Sequence, residues 1–214
     1  SAAGRQYLLN RGFTPETIAW FGFFELTDYA AADRKLREHF HLTDLQASGL
    51  YNAKGHLIFF RHRLVLPFFH HHQIIYLQGR TLGTDQPKYL NLARDGFPLF
   101  NADRLEVLSH GATVYVCEGC YNAITLEQSG LPAVAIGSAN RFNPRWAELL
   151  KNFRVVIAFD NDAAGTAAAH GAMIAALHAT NSAVLRLCLP TEVNDLNELL
   201  QRFLAQRRNP IQTS

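Results

Sequence analysis

The sequence has too few cysteines for a disulfide framework: Cys117, Cys120 and Cys188 are the only three in 214 residues. A reducing, cytoplasmic setting is therefore expected. No run of 18 apolar residues exists, which predicts no membrane-spanning helix and no membrane partner. The opening Ser1-Ala2-Ala3-Gly4 lacks the basic and apolar regions of a secretory signal. Internal repeats and linker-like runs are missing as well, which excludes a low-complexity architecture. Neither sign of charge dominates, with 20 Lys+Arg against 18 Asp+Glu and a net charge of +2. What remains is an ordinary globular composition, 48% hydrophobic and 18% charged. The length suffices for one large domain or two small ones, each with a real core.

The small net charge conceals an asymmetry. Residues 1–105 carry 12 basic and 9 acidic side chains, and residues 106–214 carry 8 and 9. Within the first half, residues 51–94 hold six basic residues and one acid, Asp85. Five of the ten histidines (His56, His62, His70, His71 and His72) fall in the same window. A positive module joined to one with sparse acids suits a protein that holds a polyanion beside a metal ion. Ordinary surface variation produces such a window too, so the charge pattern decides nothing by itself.

Periodicity and punctuation divide the chain near residue 105. The first part reads as a helix ending near Asn10, a short helix opened by Thr14-Pro15, helices over 30–41 and 43–49, then strands over 57–60, 64–69 and 73–78. The three strands predict an antiparallel meander with His70-His71-His72 at a turn. Residues 97–105 read as irregular. The second part alternates: strands over 113–117, 133–136, 154–159 and 183–189, with helices over 122–129, 144–152, 163–179 and 194–206. That alternation predicts βαβ units and a mostly parallel sheet covered on both faces. The expected fold is an α+β N-terminal subdomain (1–105), an α/β Rossmann-like subdomain (106–206) and a tail (207–214).

Parallel sheets gather chemistry at the carboxyl ends of their strands. Glu118 follows the first predicted strand of the second part. Asp160 and Asp162 follow the third, and Asp195 and Glu198 follow the fourth. Each acid alone reads equally well as a helix cap, Asp162 especially. As a set on three strand ends they repel one another unless a cation neutralises them. Hard oxygen donors in a loose arrangement select Mg²⁺ or Mn²⁺. Cys117-x-x-Cys120 is the only such pair, and no second pair lies at zinc-ligand spacing. No zinc is expected in this chain; Cys117 reads as a buried strand residue and Cys120 as incidental.

Three segments in order, Val114-Tyr115-Val116-Cys117-Glu118-Gly119, Ala135-Ile136-Gly137-Ser138 and Ala158-Phe159-Asp160-Asn161-Asp162-Ala163-Ala164-Gly165, resemble a Toprim domain. The first half adds Tyr7-Leu8, Arg11-Gly12-Phe13-Thr14, Arg61-His62-Arg63-Leu64, Gly79-Arg80-Thr81-Leu82 and Pro87-Lys88-Tyr89-Leu90-Asn91. Together they resemble the RNA-polymerase core of bacterial DnaG-type primases over nearly the whole chain. The resemblance implies an RNA primase acting on single-stranded DNA by divalent-metal-assisted nucleotidyl transfer. It implies Glu118, Asp160, Asp162 and Asp195 as catalytic cation ligands, with Glu198 assisting. Arg61, Arg63, Arg80 and Lys88 would contact phosphates, and Tyr89 and Asn91 would place a base or sugar. Nucleoside triphosphates and an RNA–DNA heteroduplex would be bound. A replicative helicase, or a separate zinc or helicase-binding module, would be a partner. Gly119 and Gly165 are expected to allow tight turns beside the metal.

The chain departs from that pattern twice. Asn122 stands where such primases usually carry Asp in E-G-x-x-D, and Asp195-Leu196-Asn197 replaces D-P-D. The second form resembles phage and mobile-element primases. Both changes remove negative charge, which should lower cation affinity, and both amides are candidate secondary ligands. A Toprim nuclease, and a degenerate module that only binds single-stranded DNA, are the alternatives.

Overall fold

The computed structural model describes residues 2–138, 142–160, 167–180 and 183–208. Two compact units emerge: one from residues 1–9 and 15–96, the other from 10–14 and 97–214.

The first unit begins with helices α1 (Ala2–Asn10) and α2 (Pro15–Trp20). Pro15 occupies the first helical position, where a missing N–H costs nothing. A two-residue strand β1 (Phe24–Glu25) follows, then α3 (Tyr29–His39) and α4 (Leu42–Ala47). The Asp28 carboxylate caps α3 by accepting from the Ala31 N–H at 2.9 Å. Strands β2 (Leu64–His70), β3 (Gln73–Arg80) and β4 (Tyr89–Asn91) complete an antiparallel sheet ordered β1-β2-β3-β4. Two strands of the predicted meander, 64–69 and 73–78, are present as β2 and β3. The β2–β3 turn is a two-residue loop in which His71 and His72 both have positive φ (48° and 65°). Such primed turns match the twist of a hairpin, and histidine enters that region more readily than β-branched residues.

The expected strand over 57–60 is not a strand. Leu57 makes only an isolated bridge to Tyr51. Its apolar content serves packing instead: Leu57 and Phe59 are buried, while Phe60 is exposed. Phe59 lies on β3 at Gly79, where a built Cβ would sit 2.5 Å from the Phe59 ring and 2.6 Å from the His62 carbonyl oxygen. An aromatic run pressed onto a glycine carries a strand's composition without its ladder.

The second unit contains β5 (Thr113–Cys117), α5 (Cys120–Gln128), β6 (Ala133–Ala135), α6 (Arg145–Leu150), β7 (Arg154–Ala158), α7 (Ala167–Thr180), β8 (Val184–Arg186) and α8 (Leu196–Arg208). A 3₁₀ turn over Ala102–Val107 lies where irregular chain was expected. All four strands are parallel, in the order β6-β5-β7-β8. Val114, Val116, Val155 and Ile157 point to one face and pack with Trp146 and Leu150 of α6 and with Met173 and Leu177 of α7. Alternation sends Cys117 to the opposite face, where α5 rests on β5 and β6 and packs against α8. The strand order steps from β5 outward to β6, then back across β5 to β7. That reversal puts a topological switch point at the carboxyl ends of β5 and β7.

Candidate functional site

Glu118 follows β5 directly, and Asp160 lies two residues beyond β7. Because Cys117 and Ala158 are register partners, these acids leave adjacent strands at the switch point. Both are partly buried. The Asp160 charge helps push the Cys117 thiol well above its ordinary value, although burial is the larger cause. Burial also raises the Cys120 thiol. Asp162 and Gly165 lie outside the described residues.

The loop after β6 is tied to this end of the sheet. The Gly137 N–H donates to the Glu118 carbonyl at 2.8 Å. Gly137 has φ of +81°, and a Cβ there would lie 2.6 Å from the Phe97 ring, so close approach requires glycine. Gly119 differs from its expectation. Its φ is −91°, it is the residue before α5, and a Cβ would meet only the Asn122 amide at 4.0 Å. It needs no special backbone freedom.

Asp195 and Glu198 serve the start of α8. The Asp195 carboxylate accepts from the Glu198 N–H at 2.7 Å as an N-cap. Glu198 reaches back to accept from the Asn194 N–H at 3.0 Å. Its other oxygen accepts from Arg202 at 2.6 Å. The Asn194 N–H and then Arg202 hold the Glu198 carboxyl below its ordinary value. Among the described residues, Glu118, Asp160, Asp195 and Glu198 do not bring three ligand oxygens within 4.8 Å of one another. A cation held by this set would keep waters, as Mg²⁺ does.

The two asparagines are held in a buried hydrogen-bond network. Asn122, 4% exposed, donates through Nδ2 to the Asp160 Oδ1 at 2.7 Å. Its Oδ1 accepts from the Asn197 N–H at 3.2 Å. Asn197 is fully buried. Its Nδ2 donates to the Thr125 hydroxyl and the Arg11 carbonyl, each at 3.0 Å, and its Oδ1 accepts from Gln201 at 3.0 Å. The sequence identified both positions but not this use of them.

The basic residues belong to the first unit. Leu64, Arg80 and Tyr89 are register partners across β2, β3 and β4. The segments 61–64, 80–81 and 88–89 therefore meet at one end of the antiparallel sheet. The Arg80 guanidinium lies 5.0 Å from the Tyr7 ring and 4.6 Å from the Tyr89 ring. Arg61 pairs with Asp85 at 3.1 Å and remains exposed. Arg63 donates from Nε to the Phe60 carbonyl at 2.9 Å and lies over the Phe60 ring. Lys88 is exposed. The Asn91 oxygen accepts from the buried Gln78 amide at 3.0 Å, which fixes its orientation to the sheet. His62 went unassigned in the sequence, yet its Nε2–H donates to the Pro87 carbonyl at 2.7 Å and anchors the loop before Lys88. Tyr7 was read only as part of a motif, because nothing in its spacing reveals that it meets Arg80.

Comparison with known proteins covers both units. Residues 1–104 match the family model for the N-terminal domain of the DNA primase catalytic core, and residues 113–206 match a Toprim domain model. A DNA primase of Clostridium acetobutylicum is 28% identical over 78% of this chain and 30% of its own length. The Thermotoga maritima DNA primase is 30% identical over 77% of this chain and 32% of its own length. The chain thus spans about a third of these relatives. The solved structure of a DnaG primase catalytic domain bound to single-stranded DNA superposes with a TM-score of 0.70 at 26% identity, over 96% of this chain and 73% of that one. Toprim primases as a class depend on divalent metal.

Proposed function

From the premise that this chain belongs to the DnaG-type primase catalytic-core family, we propose that it polymerises short RNA primers on single-stranded DNA. The observation that carries this reading is the pair of half-buried acids, Glu118 and Asp160, leaving adjacent parallel strands at the switch point. Carboxylate oxygen donors fit Mg²⁺ or Mn²⁺. Glu118, Asp160, Asp162 and Asp195 would hold the ions. Glu198 is better described as a cap and partner of Arg202 than as a ligand. When bound, such ions neutralise the triphosphate, lower the pKa of an attacking 3′-hydroxyl and stabilise departing pyrophosphate.

The protein's own groups do the rest. Asn122 holds one Asp160 oxygen by donating to it, which keeps that carboxylate in one orientation. Glu118 is the candidate acid or base as well as a ligand. Arg80, whose guanidinium lies over the Tyr7 and Tyr89 rings, offers planar donors to a phosphate. Lys88 and Arg61 add point charge along a flexible strand, and Tyr89 offers an aromatic edge to a base or sugar. The template, nucleoside triphosphates and the growing heteroduplex are the substrates, and a helicase or a zinc-bearing module is the expected partner.

The test supplies labelled nucleoside triphosphates, Mg²⁺ or Mn²⁺ and a single-stranded template. Oligoribonucleotide products, lost by at least ~10²-fold in Asp160→Ala with template retention unchanged, support the reading. Shortened template would indicate a nuclease. Retention without any chemistry would indicate a binding module.

A further inference from the structure

We propose that Asn122 and Asn197 are positioning residues that couple Asp160 to the start of α8, and that neither coordinates the cation. The inference rests on the cation reading above and specifies how its acids are held.

Asn122 lies in the first turn of α5, and the polarity of its amide is dictated from both ends. An ionised carboxylate only accepts, so the end facing Asp160 must be the NH₂. A backbone N–H only donates, so the end facing Asn197 must be the oxygen. Asn197 is the second residue of α8, and its N–H is among those that a helix leaves without an internal partner. Asn122 therefore caps α8 from a neighbouring helix, while Asp195 caps the following turn position through the Glu198 N–H. One buried side chain thus touches Asp160 and the N-terminus whose N-cap is Asp195.

Asn197 locks the arrangement. Its side chain bridges to Thr125, one turn further along α5, and to the Arg11 carbonyl, while Gln201 satisfies its oxygen. Asn122 turns its amide nitrogen toward Asp160 and its oxygen toward the Asn197 N–H, and the Asn197 oxygen is turned to Gln201, so the pair meets the acid with a donor and not with an oxygen. A buried hydrogen-bond network rigidifies what it touches, and breaking part of it is costly. Aspartate at 122 would set two carboxylates against each other. Leucine there would remove the amide donor to Asp160 Oδ1 and the acceptor for the Asn197 N–H together.

The experiment is a swap. Asn122→Asp, Asp160→Asn and the double variant N122D/D160N are melted without metal, titrated with Mn²⁺ and assayed for primer synthesis. Asn122→Asp should lower the melting temperature by about 4–10 °C. The double variant restores a donor facing an acceptor and should recover most of that loss, yet should not recover Mn²⁺ binding, because the carboxylate now stands at 122. Asn197→Ala is measured at a temperature where it remains folded. It should weaken Mn²⁺ binding about threefold or more and lower kcat about tenfold with little change in nucleotide KM. Swapped protein that regains Mn²⁺ affinity would make position 122 a ligand position and overturn the proposal. So would a double variant no more stable than N122D, or an Asn197→Ala protein with parental Mn²⁺ affinity. If the parent itself bound no Mn²⁺ and made no primers, the cation reading would fall, while the melting cycle would still decide whether the amide links Asp160 to α8.

Discussion

The acidic strand ends of the second unit and the basic sheet end of the first hold their charges by opposite means. Asp160 is fixed by a buried neutral amide, and Asp195 by the first turn of a helix. Arg80 is flanked by two tyrosine rings, Arg63 lies over Phe60, and Arg61 extends into solvent beside Asp85. Asp160 and Asp195 are held by directional hydrogen bonds from α5 and α8, the kind of hold that a small ion with fixed coordination would require. Arg80 and Arg63 are supported by aromatic faces that tolerate sliding, as a flexible polyanion demands. Substitutions at the first end should therefore act on chemistry, and those at the second on retention and its salt dependence.

The sharpest attempt to break that division is Glu118→Gln. Primer synthesis should fall by at least ~10²-fold while retention of single-stranded DNA stays within about twofold. A parallel loss of both would erase the distinction. Arg80→Ala comes next, with retention weakened about tenfold and a salt slope shallower by about one ion. Arg80→Lys should recover only part of this loss, since an ammonium cannot match a stacked planar guanidinium. Arg61→Ala should cost only about twofold, because its guanidinium is exposed and already shares its charge with Asp85. Filter binding across a salt series measures all three.

The smallest effect belongs to Glu198→Gln, which should melt slightly below the parent at neutral pH. Glu198 is held below its ordinary carboxyl value of 4.5, so its stabilisation is present above that value. It disappears as pH falls through the lowered value. The two proteins should therefore converge in acid. A difference that persists there would remove the carboxylate from the cap.

Much of this arrangement could be read from the amino acids because the signals were local. Continuous apolar runs such as Val114 to Cys117 mark buried parallel strands, and an acid directly after such a run is delivered to a known edge. The strands at 64–69 and 73–78 were legible in their β-branched and aromatic composition. What escaped reading depends on contacts distant in sequence. The aromatic run at 57–60 has strand composition, but Gly79 turns it into a packed cover. Gly119 sits beside an acid and invites a conformational explanation, yet its φ is ordinary. Asn122 and Asn197 looked like weakened ligands because charge can be counted in a sequence and hydrogen-bond direction cannot. Their partners lie 38 and 75 positions away. Tyr7 reaches Arg80 by the same kind of long-range meeting.

Anomalous scattering at the manganese edge, from crystals of this chain soaked in Mn²⁺, tests the central claim most directly. The account predicts a peak within ~2–2.5 Å of carboxylate oxygens of Glu118 and Asp160, with the Asn122 amide still donating to Asp160 and outside coordination distance of the ion. A peak elsewhere, or one ligated by Asn122 itself, would contradict it.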